Sequence, residues 1–292
     1  MTTTTAGTRF TDFHSHLVPG VDDGAQTPED SAAALAAFRT AGTQELITTP
    51  HFMGSLTRHR AMLADRLEQL DAGWDRLCAV VARDAERSGR PMRVERGVEV
   101  MLDVPDPDLS DARLRLAGTS FALVEYPSLR LPAMNAEIAV QALCEQGWTP
   151  VVAHPERYRN LEEVGELARF KDAGARLQVN AGSLFGDHGT TAARHAMQIL
   201  TLGLADYVAS DYHARGLPRL RDFHHALVDA GYPEQADLLG VVNPARLLEG
   251  LPPLPVPPFI VADAAFANDE PDGPGANTAR PRWTRLLGKN RG

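Results

Sequence analysis

The sequence predicts an α/β protein whose parallel strands close, or nearly close, into a (β/α) barrel. Short β-branched runs alternate about seven times with longer helical patterns, and strand–helix repetition builds parallel sheets with crossover helices. The chain has 292 residues, a length at which this repeat commonly forms one barrel. A doubly wound open sheet has the same element pattern and remains the alternative at this point.

The expected strands, in order, are "TRFTDFH" (8–14), "ELITTPH" (45–51), "MRVERGVEV" (92–100), "SFALVEY" (120–126), "TPVVAHP" (149–155), "ARLQVNAG" (175–182) and "ADYVASDYH" (205–213). The first helix opens at "TPED", with Thr27 as N-cap, Pro28 at the first helical position and acids in the first turn. Further helices are expected over about 57–88, 134–146, 162–173, 190–203 and 217–230. Gly42, Gly147, Gly174 and Gly203 follow helical runs, where left-handed caps belong. This organised part is read as one unit, residues 1–250. Residues 251–280 are rich in Pro and Gly and read as an irregular linker. Residues 281–292 form a basic, amphipathic tail, with Arg282, Arg285, Lys289 and Arg291 around Trp283, Leu286 and Leu287. That tail suits weak contact with a membrane surface or an acidic partner, or is simply solvated.

Net charge is −9, so no overall basic field attracts nucleic acid. An acidic chain acting on an anion needs a local positive source, such as metal ions or placed arginines. The two cysteines, Cys78 and Cys144, are too few for a disulfide framework or a thiolate zinc site. The N-terminus lacks the apolar stretch of a signal peptide, and no run approaches the roughly 18 apolar residues of a membrane span. The expected location is the cytoplasm.

The chemistry-bearing residues gather at strand ends. His14 and His16 end the first expected strand, His51 the second, Glu99 the third and Glu125 the fourth; His154 closes the fifth, and Asp211 and His213 the seventh. In parallel α/β folds these ends converge on one face. In "HSH" and "DYH" the paired residues are i and i+2, so both project to one side of an extended chain. The loop "VPGVDDG" returns Asp22 and Asp23 over the same face. Each residue alone has a bland reading: a lone histidine is more often hydrogen-bonded structure than a ligand, Asp211 could cap a helix, and Glu99 could be an exposed strand residue. Together, five of the ten histidines fall at strand ends, which favours a metal site. His59, His188, His195, His224 and His225 lie elsewhere and read as surface or core. Imidazole and carboxylate without thiolate suits Mn²⁺, Fe²⁺ or Zn²⁺.

Other chemistries are excluded. A cysteine phosphatase needs Cys-x5-Arg, whereas Cys78 is followed by "AVVAR", one position short, and Cys144 by "EQGWTP". There is no Walker A motif, dinucleotide fingerprint or G-x-S-x-G elbow. The "GSLFG" at 182–186 has the wrong spacing for that elbow and reads as a loop over the barrel face.

The motifs "DFHSHLVPGVDDG", "TTPH", "GVEV", "LVEY", "AHPERY", "QVNAGSLFG", "ASDYH" and "NPARLLEG" resemble, in that order, the bacterial metal-dependent protein-tyrosine phosphatases of the polymerase and histidinol phosphatase (PHP) superfamily, the CpsB/CapC type of capsule and exopolysaccharide operons. The resemblance covers about residues 9–250. It implies a distorted (β/α)7 TIM-like barrel with three divalent ions, commonly Mn²⁺. By motif, His14, His16, Glu99 and Asp211 would hold one ion. Glu99 would bridge to a second with Glu125 and His154, and Asp23, His51 and His213 would hold the third. Asp22 is read as a loop-shaping neighbour. Arg157 of "HPERY" matches a phosphate-binding arginine; Arg215, with Arg219 as rival, matches a second. Six positive charges against four carboxylates leave such a site ready for a phosphate dianion and for in-line attack by an activated water. The implied substrate is a phosphotyrosine protein, the natural candidate being a membrane-associated tyrosine autokinase that controls polysaccharide export. A small-molecule phosphatase of the same superfamily, histidinol-phosphatase-like, and a non-catalytic scaffold are the alternatives.

Overall fold

All seven expected strand runs contain strand, but two of them do so in two pieces. The computed structural model describes residues 8–132 and 136–259. The first run gives β1 (Phe10–Asp12). The second splits into β2 (Thr43–Thr48) and β3 (His51–Met53), and the third into β4 (Arg93–Arg96) and β5 (Glu99–Met101). The remaining four are β6 (Phe121–Glu125), β7 (Thr149–Ala153), β8 (Arg176–Asn180) and β9 (Tyr207–Ala209). Pro50, which has no N–H, and Gly97, which has no side chain, lie at the two breaks. The breaks are laced together: Gly97 N–H donates to Thr48 O (3.0 Å) and Glu99 N–H to Pro50 O (3.1 Å).

Every strand pairing is parallel. Hydrogen bonding defines a three-stranded sheet, β1-β2-β4, and a six-stranded sheet, β3-β5-β6-β7-β8-β9. A parallel bridge joins Ser15, after β1, to Tyr212, after β9. Around it His16 N–H donates to Tyr212 O (2.8 Å) and Asp211 N–H to His14 O (2.9 Å). The fold is therefore mixed α/β with parallel sheets, as expected. β6 is buried along its whole length and β7 over its last four residues, the pattern of strands covered on both faces.

The helices follow the expected order: α1 (Pro28–Thr40), α2 (Arg60–Ser88), α3 (Glu137–Glu145), α4 (Ala168–Asp172), α5 (Thr190–Thr201) and α6 (Leu220–Asp229). Thr27 caps α1 as read: Asp30 N–H donates to its hydroxyl (3.1 Å), and Thr27 N–H returns a bond to the Asp30 carboxylate (2.9 Å). Stretches 57–88 and 162–173 each begin as a tight 3-10 turn before the α-helix. Two short helices, α7 (Pro233–Asp237) and α8 (Asn243–Leu248), were not expected, because Gly231, Gly240 and Pro244 interrupt the periodicity there.

Residues 251–259 have no regular secondary structure, yet they pack on the body. The Phe259 ring lies 4.7 Å from that of Tyr232, and Asn243 bonds the Leu254 backbone in both directions (2.8 and 3.0 Å). The rest of the expected linker and the basic tail lie outside the described residues.

The loop after β1 is folded tightly against His16. Ala25 N–H donates to His16 O, and Gly20 N–H to Ala25 O, both at 2.9 Å. A Cβ on Gly24 would sit 2.1 Å from His16 O and 2.4 Å from His16 Cβ, so only glycine fits. We expect Gly24→Ala to lower stability by about 2–3 kcal/mol in urea unfolding; a midpoint equal to the parent protein's would refute this packing.

Candidate metal centre

Parallel strands deliver the polar residues to one place. His14 and His16 follow β1, His51 opens β3, and Glu125 ends β6. His154 follows β7, and Asp211 and His213 follow β9. Glu99 does not end a strand as read; it opens β5 after the Gly97 break. The break puts it beside His51, its partner in the β3–β5 register.

Three groups of donor atoms result, each within 4.8 Å: His14, His16, Glu99 and Asp211; His51, Glu99 and Glu125; and His16, Asp23, His51 and His213. Glu99 is fully buried and faces two ways. Its Oε2 lies 3.3 Å from His14 Nε2, 3.5 Å from His16 Nε2 and 3.1 Å from His51 Nδ1. Its Oε1 lies 2.9 Å from His154 Nε2. Asp211 Oδ1 is 3.2 Å from His14 Nε2 and 3.3 Å from His16 Nε2. Asp23 Oδ1 is 3.4 Å from His51 Nε2 and 3.3 Å from His213 Nε2. Compared with the motif reading, His51 reaches the middle group as well as the third, and His16 joins the third. His154 stands beside Glu99, 3.9 Å from Glu125.

Five of these atoms fit a cation better than they fit each other. His14 Nε2, His16 Nε2, His51 Nδ1, Glu99 Oε2 and Asp211 Oδ1 are buried with no hydrogen-bond partner among the described residues, a costly state for polar groups. Ligand atoms held about 2.1 Å from one ion lie roughly 3.0–3.4 Å apart in octahedral or tetrahedral geometry, close to the separations seen. The residues thus fit a divalent-ion centre.

The protonation energetics agree. Burial opposes charge on His14, but Glu99 and Asp211 outweigh it and raise its pKa. Burial likewise opposes charge on His16, yet the Asp211 and Asp22 carboxylates beside it carry its pKa up to about 9. At His51, Glu125 and Glu99 overcome burial and carry it to about 11. The same imidazoles hold Glu99 and Asp211 well below the usual carboxylate range despite their burial. This pocket demands positive charge, and metal ions compete with protons for it.

Outer bonds aim the imidazoles. Gln178 Oε1 lies 2.9 Å from His14 Nδ1, Asp22 Oδ2 lies 2.7 Å from His16 Nδ1, and His213 Nδ1–H donates to Asp211 O (2.9 Å). Each leaves Nε2 facing the cluster. His154 (φ 35°) and Asp211 (φ 53°) both take the left-handed backbone region, which costs on the order of 1–3 kcal/mol for such residues. Asp211 Oδ2 accepts from Asn180 Nδ2 (2.8 Å) and Arg157 Nη1 (2.5 Å). Arg215 Nη2 is 3.5 Å from Asp23 and largely exposed. Arg219 is held by Asp187 and Asp222 and lies over Phe185. A cavity of about 230 Å³ opens onto Asp23, His51, Glu125, His154, Asp211 and His213, with Arg157, Ser128 and Leu129 completing its lining.

Known proteins resemble this chain in sequence and in fold. The family of capsular polysaccharide synthesis proteins CpsB/CapC matches residues 10–249. This chain belongs to that family. The tyrosine-protein phosphatase YwqE of Bacillus subtilis is 30% identical over 217 residues, 73% of this chain and 80% of YwqE. The tyrosine-protein phosphatase CpsB of Streptococcus agalactiae is 27% identical over 250 residues, 82% of this chain and 98% of CpsB. A solved chain from crystal structures of YwqE of B. subtilis and CpsB of Streptococcus pneumoniae, described as metal-dependent tyrosine phosphatases, superposes with TM-score 0.66 at 26% identity. It covers 86% of this chain and 99% of the solved one.

Within this CpsB/CapC chain, sequence reasoning missed the residues that orient the donors. Asp22 was read as a loop former, yet it bonds His16, and it also accepts from Gly24 N–H (2.9 Å) and His51 N–H (3.2 Å). Burial would raise its pKa, but the His16 imidazole wins and lowers it to about 2. Gln178 and Asn180 are fully buried on β8. The available signal was two amides at i and i+2 in a covered parallel strand, where apolar residues are the rule. Arg66 of α2 donates to His51 O (2.8 Å) and Val21 O (3.2 Å), and no local pattern marks it.

Asp22→Asn should weaken Mn²⁺ binding 10- to 100-fold, the usual effect of losing an orienting carboxylate, read by competition with a chelating dye. Unchanged affinity would remove Asp22 from the support of His16.

Proposed function

We propose that this protein is a metal-dependent protein-tyrosine phosphatase, with His14, His16, Asp23, His51, Glu99, Glu125, His154, Asp211 and His213 as ligands to three divalent ions, Mn²⁺ foremost. The observation that carries the reading is the set of five buried, unpartnered donor atoms converging beneath a cavity that Arg157 also lines. The named activity of YwqE and CpsB supports the reaction class. We infer also that the two parallel sheets form one distorted (β/α) barrel, joined through the Ser15–Tyr212 bridge and through the chain where β2 runs into β3 and β4 into β5.

When bound, the ions supply Lewis acidity to the phosphoryl group and to an attacking water. The chain's residues do the rest. Arg157, already held through Nη1 by Asp211, has further N–H donors for the equatorial phosphoryl oxygens. Arg215 is the better second arginine, since it reaches Asp23 whereas Arg219 is tied elsewhere. Phenolate is a good leaving group, so the help needed from a protein acid is modest. Neither cysteine lines the cavity, and partial desolvation and Asp75 raise the pKa of Cys78, which speaks against a thiolate nucleophile.

The substrate we infer is a phosphotyrosine protein of capsule or exopolysaccharide synthesis, a membrane-associated tyrosine autokinase being the natural partner. We infer a cytoplasmic location for the enzyme, which the two free cysteines support. Among the described residues no helix is long and apolar enough to cross a membrane.

With Mn²⁺, the protein should hydrolyse a phosphotyrosine peptide in preference to histidinol phosphate, and EDTA should abolish turnover. Preference for histidinol phosphate would sink the protein-substrate reading, and activity surviving stringent chelation would sink the metal mechanism. His154→Ala should cut kcat/KM at least about 100-fold. Cys78→Ser should leave it unchanged; a large loss there would point to a thiol nucleophile.

A further inference from the structure

The cavity over the metal centre is built for a charged group, with one exception. Of its described lining residues, Leu129 alone has a hydrocarbon side chain; the others are imidazoles, carboxylates, a guanidinium and the Ser128 hydroxyl. Leu129 is half-buried, packs against the main core, and keeps part of its surface at the cavity.

Its position is held rather than incidental. Ser128 (φ 58°) and Leu129 (φ 51°) are consecutive left-handed residues, a conformation that leucine rarely adopts and that persists only where the surroundings impose it. The surroundings are visible. Arg159 N–H donates to Leu129 O (2.9 Å) and Arg130 N–H to Pro127 O (3.1 Å). Asn160 accepts from Leu131 N–H and donates to Leu131 O, both at 2.9 Å. Tyr126 N–H donates to the Tyr158 hydroxyl (3.1 Å). The loop 126–131 is thereby stapled to 158–160. One strand of this pair leaves from Glu125 and the other passes through His154 and Arg157, so Leu129 is registered against both the proposed ligands and the proposed phosphate arginine.

We propose that Leu129 is a specificity-determining residue, forming the apolar wall against which the aromatic ring of an aryl phosphate packs while its phosphoryl group meets the charged end of the cavity. This rests on the phosphotyrosine reading and names its source of selectivity. An aryl ring one oxygen away from the phosphorus gains by leaving water against hydrocarbon, and phosphoserine has no ring to place there.

The test compares phenylphosphonate with methylphosphonate, which share a head group and differ by the ring. Binding to the Mn²⁺-loaded protein is measured by calorimetry. Leu129→Asn removes the hydrocarbon with a residue that tolerates positive φ, Leu129→Ala removes it more simply, and Leu129→Met restores apolar surface. Phenylphosphonate affinity should fall about five- to tenfold in the Asn and Ala variants and recover in the Met variant, with methylphosphonate held within twofold throughout. An equal fall for both ligands would assign Leu129 a purely structural role, and no fall for either would remove it from the site; both overturn the proposal. If the parent protein fails to hydrolyse phosphotyrosine while ring preference still tracks Leu129, the ring contact stands and the phosphotyrosine reading falls.

Discussion

The structure depends on a fully buried carboxylate, Glu99, ringed by four imidazoles. A carboxylate removed from water is stable only beside compensating charge. Here His14, His16, His51 and His154 all come within 3.5 Å of its two oxygens. The carboxylates beside these rings raise the pKa values of His14, His16 and His51 against the effect of burial. Divalent ions would supply the compensating charge more completely, because each carries two charges and can be shared by several donor atoms.

The fold is arranged to hold this cluster. Breaks at Pro50 and Gly97 divide two strands so that His51 and Glu99 start new, mutually paired strands at the site. Left-handed backbone at His154 and Asp211 turns the chain sharply where the strands end. Such strain survives because other bonds over-determine it: Asp211 N–H is fixed to His14 O, and its side chain to Asn180 and Arg157. The outer partners Asp22 and Gln178 then select which ring nitrogen faces inward. Rigidity of this kind pre-positions charge for a transferring phosphoryl group.

Above the cluster, the cavity divides its labour. Its lining is otherwise charged, imidazole or hydroxyl groups, and Leu129 contributes hydrocarbon. The loop that carries Leu129 is stapled to the segment that carries Arg157, so recognition of a ring and recognition of a phosphate share one frame. The proposed site thus combines strand-end chemistry with one strained loop, on a scaffold whose relatives are named tyrosine-protein phosphatases.

The local pattern was sufficient for the parallel α/β class, the Thr27 cap, the order of the helices and the set of candidate donors. Each of these rests on short-range information: alternation, capping chemistry, and the i, i+2 spacing of "HSH" and "DYH". The exclusion of a cysteine nucleophile was equally local, since it needs only Cys-x5-Arg. What the pattern could not supply is everything set by contacts between distant segments. It read Asp22 as a turn former because the 2.7 Å approach to His16 depends on how the loop folds back over Gly24. It passed over Gln178, 164 residues from its partner His14, and Leu129, whose role follows from a cavity that exists only once Glu125, His154 and Arg157 are brought together. It left Arg215 and Arg219 as rivals, and what distinguishes them, an ion pair to Asp23 for one and to Asp187 and Asp222 for the other, exists only in the fold. Residue types and their spacing announce chemistry locally, but the direction of a lone pair, and the burial that makes it cost energy, are properties of the assembled fold.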